Sequence, residues 1–158
     1  MAFGFGAKIR RTRNGDYTVD LETWERDLLR TLPGQLRDLL SSDDPALERL
    51  FPPAYLNDDE RNDDYRRLMR DDLTNHRLSS LAVLEATLDE KRLDEDQLTA
   101  WMGALNDLRL VLGTRLEVSE DMYDQELDED DPRGPGFALY SYLGYLQETV
   151  VLALSSGL

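Results

Sequence analysis

The sequence predicts a mainly α-helical bundle of about five helices with an N-terminal β-hairpin docked on it. Three observations support this. Across residues 93–118 apolar side chains recur three or four apart, at Leu98, Trp101, Leu105, Leu108, Leu112 and Leu116, which is the period of one helical face. A long helical window with a leucine stripe runs over 57–90 and one apolar nearly all round over 137–156, whereas residues 3–21 alternate with period two around the turn signal Asn14-Gly15. With 158 residues, 41% hydrophobic, the chain fits a single domain, 1–158, around one core.

Residues 1–21 supply the hairpin. Phe3, Phe5, Ala7 and Ile9 alternate with Gly4, Gly6, Lys8 and Arg10, and Tyr17, Val19 and Leu21 follow the turn. A two-residue Asn-Gly loop would put the apolar sets of the two strands on opposite faces. A three-residue loop, Arg13-Asn14-Gly15, with Gly15 left-handed, pairs Ile9 with Val19 and Arg11 with Tyr17 and unites them. The bulged turn is therefore predicted. An isolated hairpin is marginal in water, so its apolar face must dock on helices.

Residues 22–118 read as the helical core. The first helix, from near Glu22, carries Trp24, Leu28, Leu29 and Leu32, and Pro33-Gly34 should kink or split it before Leu36, Leu39 and Leu40. Asp44 suits an N-cap with Pro45 at the first helical position, opening a short helix that Phe51-Pro52-Pro53 ends. Asn57-Asp58-Asp59-Glu60 opens a long helix to about Glu90, with Leu73, Leu81, Leu84 and Leu88 on its buried stripe. Lys91-Arg92 closes it, and the central helix starts at Asp94 as its antiparallel neighbour. Gly103 and Gly113 within that helix each cost about 1 kcal/mol relative to alanine, which points to packing on more than one side. Residues 119–136, dense in acids and holding Pro132 and Pro135, read as a mobile surface loop. The last helix, 137–156, is apolar nearly all round, so it is either central to the bundle or covered by a second copy of the chain.

Charge narrows the function. A net charge of -15 repels phosphate at long range, so direct nucleic-acid binding is disfavoured, and anionic membrane surfaces likewise. Partners with basic faces are favoured. There is no cysteine, which removes disulfides, thiolate metal sites and cysteine nucleophiles. The opening residues lack the apolar core of a signal peptide and no window is long and apolar enough to span a membrane, so the expected location is cytoplasmic.

No motif carries chemistry outright. His76 is the single histidine, and with Asp72 it falls short of the three or four ligands a zinc site takes. The acid runs 58–64 and 120–131 lack the glycine and glutamate spacing of an EF-hand, and no glycine-rich phosphate loop or nucleophile elbow occurs. No catalytic, cofactor or metal residue is predicted. Two groups are candidates for binding a partner. Lys8, Arg10, Arg11 and Arg13 form the one basic cluster, whose plainer role is to keep a sheet edge from pairing with other chains. Asn106, Asp107, Arg109 and Arg115 make the central helix more polar than a core helix requires, and their plainer role is to clamp neighbouring segments.

The run W-x-x-A-L-N-D-x-R-L-x-L-G-T-R-L from Trp101 to Leu116, the W-E-R-D-L-L-R-x-L-P run from Trp24 to Pro33 and the Tyr-rich helix from Phe137 together resemble the actinobacterial AosR family, otherwise grouped as a domain of unknown function. The resemblance covers most of the chain. It implies an oxidative-stress transcriptional regulator that acts through a protein partner such as a sigma factor or polymerase component. It carries over no catalytic or metal residue. Thiol sensing of oxidants needs cysteine, which this chain lacks, so any such role here is indirect. The expected function is a non-enzymatic regulator or adaptor. The alternatives are a small-molecule site or enzyme with a polar pocket near Trp101, Asp107, Arg109 and Arg115, and a DNA binder using the basic hairpin.

Overall fold

The computed structural model describes residues 8–42, 44–50, 60–116 and 131–156, and the statements below concern these. Residues 3–7 of the expected first strand, the Phe51-Pro52-Pro53 stop, the Asn57-Asp58-Asp59 cap and the acidic segment 119–130 lie outside them.

Strand β1 (Ile9–Arg11) pairs antiparallel with β2 (Tyr17–Val19), in the register Ile9 with Val19 and Arg11 with Tyr17. Gly15 adopts φ +87°, and the loop closes with Thr12 N–H donating to the Asp16 carbonyl at 2.7 Å. This is the bulged three-residue turn. A β-carbon at position 15 strains the left-handed backbone, so Gly15→Ala is expected to cost about 1 kcal/mol in urea unfolding. A third strand, β3 (Arg92–Leu93), joins the far side of β2 with Tyr17 opposite Leu93 and Thr18 opposite Arg92. Two residues are too few to show a period, and the cations Lys91-Arg92 pass for an ordinary helix end. The extra strand answers the hairpin's docking problem: Ile9, Tyr17, Val19 and Leu93 are all buried on one side.

Helices α1 (Thr23–Arg30) and α2 (Pro33–Leu40) are halves of one interrupted rod. Pro33 removes a hydrogen bond, yet Thr31 and Leu32 keep right-handed helical angles, so the rod breaks without turning back. Counted as rods, the bundle has four members. Asp44 caps the short 3₁₀ helix Pro45–Leu50 through Ala46 N–H at 2.8 Å. Helix α3 (Glu60–Thr87) buries Leu81 and Leu84 completely, as is Leu88 just past its end, while Leu73 is only half-buried. Helix α4 (Glu95–Arg115) starts from a reciprocal cap in which Asp94 accepts from Gln97 N–H at 2.7 Å and Gln97 accepts from Asp94 N–H at 2.9 Å. Helix α5 (Gly134–Ser155) begins three residues before Phe137, because Pro135 fits the first turn, where its missing N–H has no partner to lose.

Helix α4 is the centre of the molecule, packed by α3, α5 and the 3₁₀ helix. Trp101 is fully buried, and its Nε1 donates to Thr87 Oγ1 of α3 at 2.7 Å. Thr87 in turn donates to the Val83 carbonyl at 2.6 Å, so the indole is satisfied in an otherwise apolar core. A β-carbon at Gly103 would lie 3.7 Å from Ser80 Oγ, an ordinary contact, so this glycine eases the α3 approach but is not required by it. No helix among the described residues is long and apolar enough to cross a membrane.

Candidate functional site

Three clusters of polar side chains sit where elements meet. The first centres on Glu25, a charged residue 1% exposed in the first turn of α1. Its Oε2 accepts from the Glu22 backbone N–H at 2.7 Å and from Lys8 Nζ at 3.0 Å, and its Oε1 accepts from the Tyr142 hydroxyl at 3.2 Å. One carboxylate thereby ties the residue before β1, the start of α1 and the middle of α5. Burial, and then the negative Glu25, push the Tyr142 phenol well above its ordinary range. Burial lowers the Lys8 pKa, but the hydrogen bond and charge of Glu25 outweigh that and raise it overall. Trp24 covers the cluster, its ring centroid 5.8 Å from that of Tyr142. Beside it, Arg26 donates to the carbonyls of Val19, Leu21, Leu88 and Glu90, fastening the sheet and α1 to the end of α3.

The second cluster centres on Asp107 of α4, 2% exposed. Arg77 of α3 donates to Asp107 Oδ1 through one guanidinium nitrogen and to the Leu50 carbonyl through another. This arginine holds α3, α4 and the 3₁₀ helix together. Desolvation dominates the carboxyl and, against the attraction of Arg77, pushes its pKa up to about 6. The unfolded carboxyl titrates near 3.8, so between these values the folded chain binds more protons than the unfolded one. This group's contribution to stability therefore rises as pH falls from 7 towards 4. Carbon-13 titration of the Asp107 carboxyl should give a midpoint near 6; a midpoint at or below 4 would contradict this burial. A carboxyl poised near neutrality resembles a general acid or base, but this one is buried and bonded to Arg77.

The third cluster lies along the outer groove between α4 and α5, about 590 Å³, lined by Arg109, Tyr140, Gly144, Gln147, Glu148 and Leu152. The Arg109 guanidinium stacks 5.0 Å over the Tyr140 ring. Asn106 accepts from Gln147 Nε2 at 3.1 Å.

The polar residues of the central helix therefore do not converge. Asp107 turns to α3, Arg109 and Asn106 to α5, and Arg115 to Asp44 at 3.7 Å, while Trp101 is enclosed in the core. A pocket combining Trp101, Asp107, Arg109 and Arg115 is not formed, because positions 107, 109 and 115 point three ways around one helix. The basic cluster is divided too. Lys8 turns inward to Glu25, while Arg10, Arg11 and Arg13 stay exposed. Arg10 belongs to a row across the sheet, Arg10–Thr18–Arg92, whose third member comes from the unforeseen strand. His76 is exposed, and the described residues hold no group of three or more His, Cys, Asp or Glu able to bind a metal ion.

Glu25 was not legible as a site. A capping glutamate three residues after an N-cap is a signal, but the N-cap here is Glu22, outside the usual Ser, Thr, Asp or Asn.

Comparison with known proteins agrees with the resemblance read from the residues. The chain is 34% identical over 129 residues to the oxidative stress regulator AosR of Mycobacterium tuberculosis and to its namesake in Mycobacterium bovis, covering 70% of this chain and 58% of each relative. It is 35% identical over 130 residues to a putative oxidative stress regulator AosR of Mycobacterium leprae, covering 71% of this chain and 59% of that one. The chain thus spans less than two thirds of the length of these curated relatives. No solved structure matches it. Residues 6–154 match the family described as a domain of unknown function, DUF2017, and with nearly the whole chain covered it belongs to that family.

Proposed function

We propose that this chain is a non-enzymatic, cytoplasmic regulator of the oxidative-stress response that acts on transcription by binding a protein partner with a basic face, such as a sigma factor or a polymerase component. The observation that carries the reading is the division of labour among its charges. The buried carboxylates Glu25 and Asp107 and the cations facing them are engaged in internal bonds, which leaves recognition to the exterior. The names of the relatives supply the oxidative-stress context. With no cysteine in these 158 residues, an oxidant signal reaches the chain through its partner rather than through a thiol of its own.

A docking surface of fitting chemistry lies on the first half of α3. Leu68 is 70% exposed, and Asp64, Asp71 and Asp72, all exposed, stand one turn before and after it on the same face. An apolar anchor with carboxylates at these three positions, beside the exposed Arg67 and Arg70, suits a partner that offers a pocket edged by lysine or arginine. Affinity capture with the full chain from its native cytoplasm is expected to recover a component of transcription initiation. The triple variant Asp64→Asn, Asp71→Asn, Asp72→Asn should lose it while its circular dichroism and unfolding midpoint stay close to the parent's. Capture that recovers no transcription component, or that the triple variant leaves intact, overturns the reading.

A further inference from the structure

We infer that the outer face of α5 is a self-association surface, on which two copies of the chain pack antiparallel about Gly144 and exchange an Arg109–Glu148 ion pair. This goes beyond the regulatory reading and stands or falls separately from it. Three observations carry the inference. Arg109 is a half-buried cation in a chain of 33 acids and 18 Lys and Arg, yet among the described residues it meets no carboxylate. Its guanidinium is held in place by the Tyr140 ring at 5.0 Å and by Gly144, whose β-carbon would lie 3.2 Å from Arg109 Nε. Glu148 is exposed one turn further along the same helix, lines the same groove and likewise meets no cation among the described residues. Around both, Val151 and Leu152 are 39% and 63% exposed, on a helix whose opposite face buries Leu143, Leu146 and Val150.

These features complement a second copy of themselves. Tyr140 lies four residues before Gly144 and Glu148 four after it, so both fall near the Gly144 face. When two such helices cross antiparallel with the two-fold axis at Gly144, position 148 of one faces position 140 of the other. Each Glu148 then meets the Arg109 stacked on the opposing Tyr140, and symmetry makes the pair twice. Seven residues either side of Gly144, exposed Val151 comes against Phe137 of the second copy. Helix α5 has 22 residues, about 33 Å of length, and one face of it covers less than the ~800 Å² per partner of a standard interface. The dimer is therefore expected to dissociate in the micromolar range and to weaken with added salt.

Sedimentation velocity of the full chain from about 1 to 500 µM tests this. The expected result is a monomer–dimer equilibrium whose dissociation constant rises about tenfold or more in Glu148→Arg, where like charges face each other twice. Arg109→Glu should weaken it similarly, and combining the two should restore association towards the parent level. Glu148 is exposed and bonded to nothing described, so Glu148→Arg leaves the fold intact and keeps the test valid even if Arg109→Glu unfolds. A chain that stays monomeric throughout, or a dimer indifferent to Glu148→Arg, overturns the inference.

Discussion

Glu25→Ala is expected to destabilise the chain by about 3–5 kcal/mol, measured as the shift in urea unfolding free energy. The size follows from what is stranded: the Tyr142 hydroxyl, the Glu22 N–H and the Lys8 ammonium all lose their acceptor at once. Glu25→Gln keeps one acceptor oxygen, for the Glu22 N–H, turns its amide NH2 to the Tyr142 hydroxyl, which can rotate to accept, and loses the charge opposite Lys8, so its cost should be a fraction of the alanine cost. Lys8→Met combined with Glu25→Gln should recover part of that loss, because the unpaired cation goes with its partner. The pair has a pH signature. With the Lys8 pKa raised above 10.5, its contribution is complete below that value and is lost as pH rises through the folded one. A Glu25→Ala loss under 1 kcal/mol would show that the hairpin and α5 are held by apolar burial alone.

The second large effect is at Arg77. Removing it in Arg77→Ala buries Asp107 without a counter-charge and orphans the Leu50 carbonyl, for an expected loss of about 3–5 kcal/mol. The Asp107 midpoint should climb further above 6, since burial then acts without the Arg77 charge and hydrogen bond opposing it. Asp107→Asn is the informative contrast. The amide still accepts one bond from Arg77 and no longer resists ionisation, so it should cost much less and should abolish the titration near pH 6. Equal losses in Arg77→Ala and Asp107→Asn would mean that the carboxylate charge itself, and not the clamp of three elements, sets the stability.

Local rules carried the secondary structure a long way. Apolar spacing placed α3, α4 and α5, Asp44-Pro45 marked a helical start, and the need to bring Ile9 and Val19 to one face selected the turn with Gly15 left-handed. Each of these depends on neighbours a few residues apart. What was not legible depends on distant ones. Lys8 reaches Glu25 across 17 residues, Arg77 reaches Asp107 across 30, and Tyr142 reaches Glu25 across 117, distances over which no periodicity speaks. In the sequence Lys8 belongs with Arg10, Arg11 and Arg13, and only the packing of α1 beneath the hairpin separates it from them. Asp107 belongs in the sequence with Arg109 and Arg115, and helical rotation sends the three to α3, α5 and Asp44. The candidate residues therefore divide: Lys8 and Asp107 are bound into structural ties, while Arg10, Arg11 and Arg13 stay exposed. Of the exterior features that remain, Leu68 beside Asp64, Asp71 and Asp72 was unmarked in the sequence, whereas Arg109, already a candidate there, lines one groove with Glu148 and Gly144.

The central claim is that carboxylates inside the bundle hold it together and carboxylates outside it recognise a partner. Parallel capture with Asp107→Asn and with the Asp64, Asp71, Asp72 to Asn triple variant tests it most directly. The account predicts that the interior variant keeps the partner and shifts only the unfolding curve and the titration near pH 6, while the surface variant keeps the fold and loses the partner. The contradicting result is the reverse: a well-folded Asp107→Asn protein that binds nothing, beside a surface variant that binds as well as the parent.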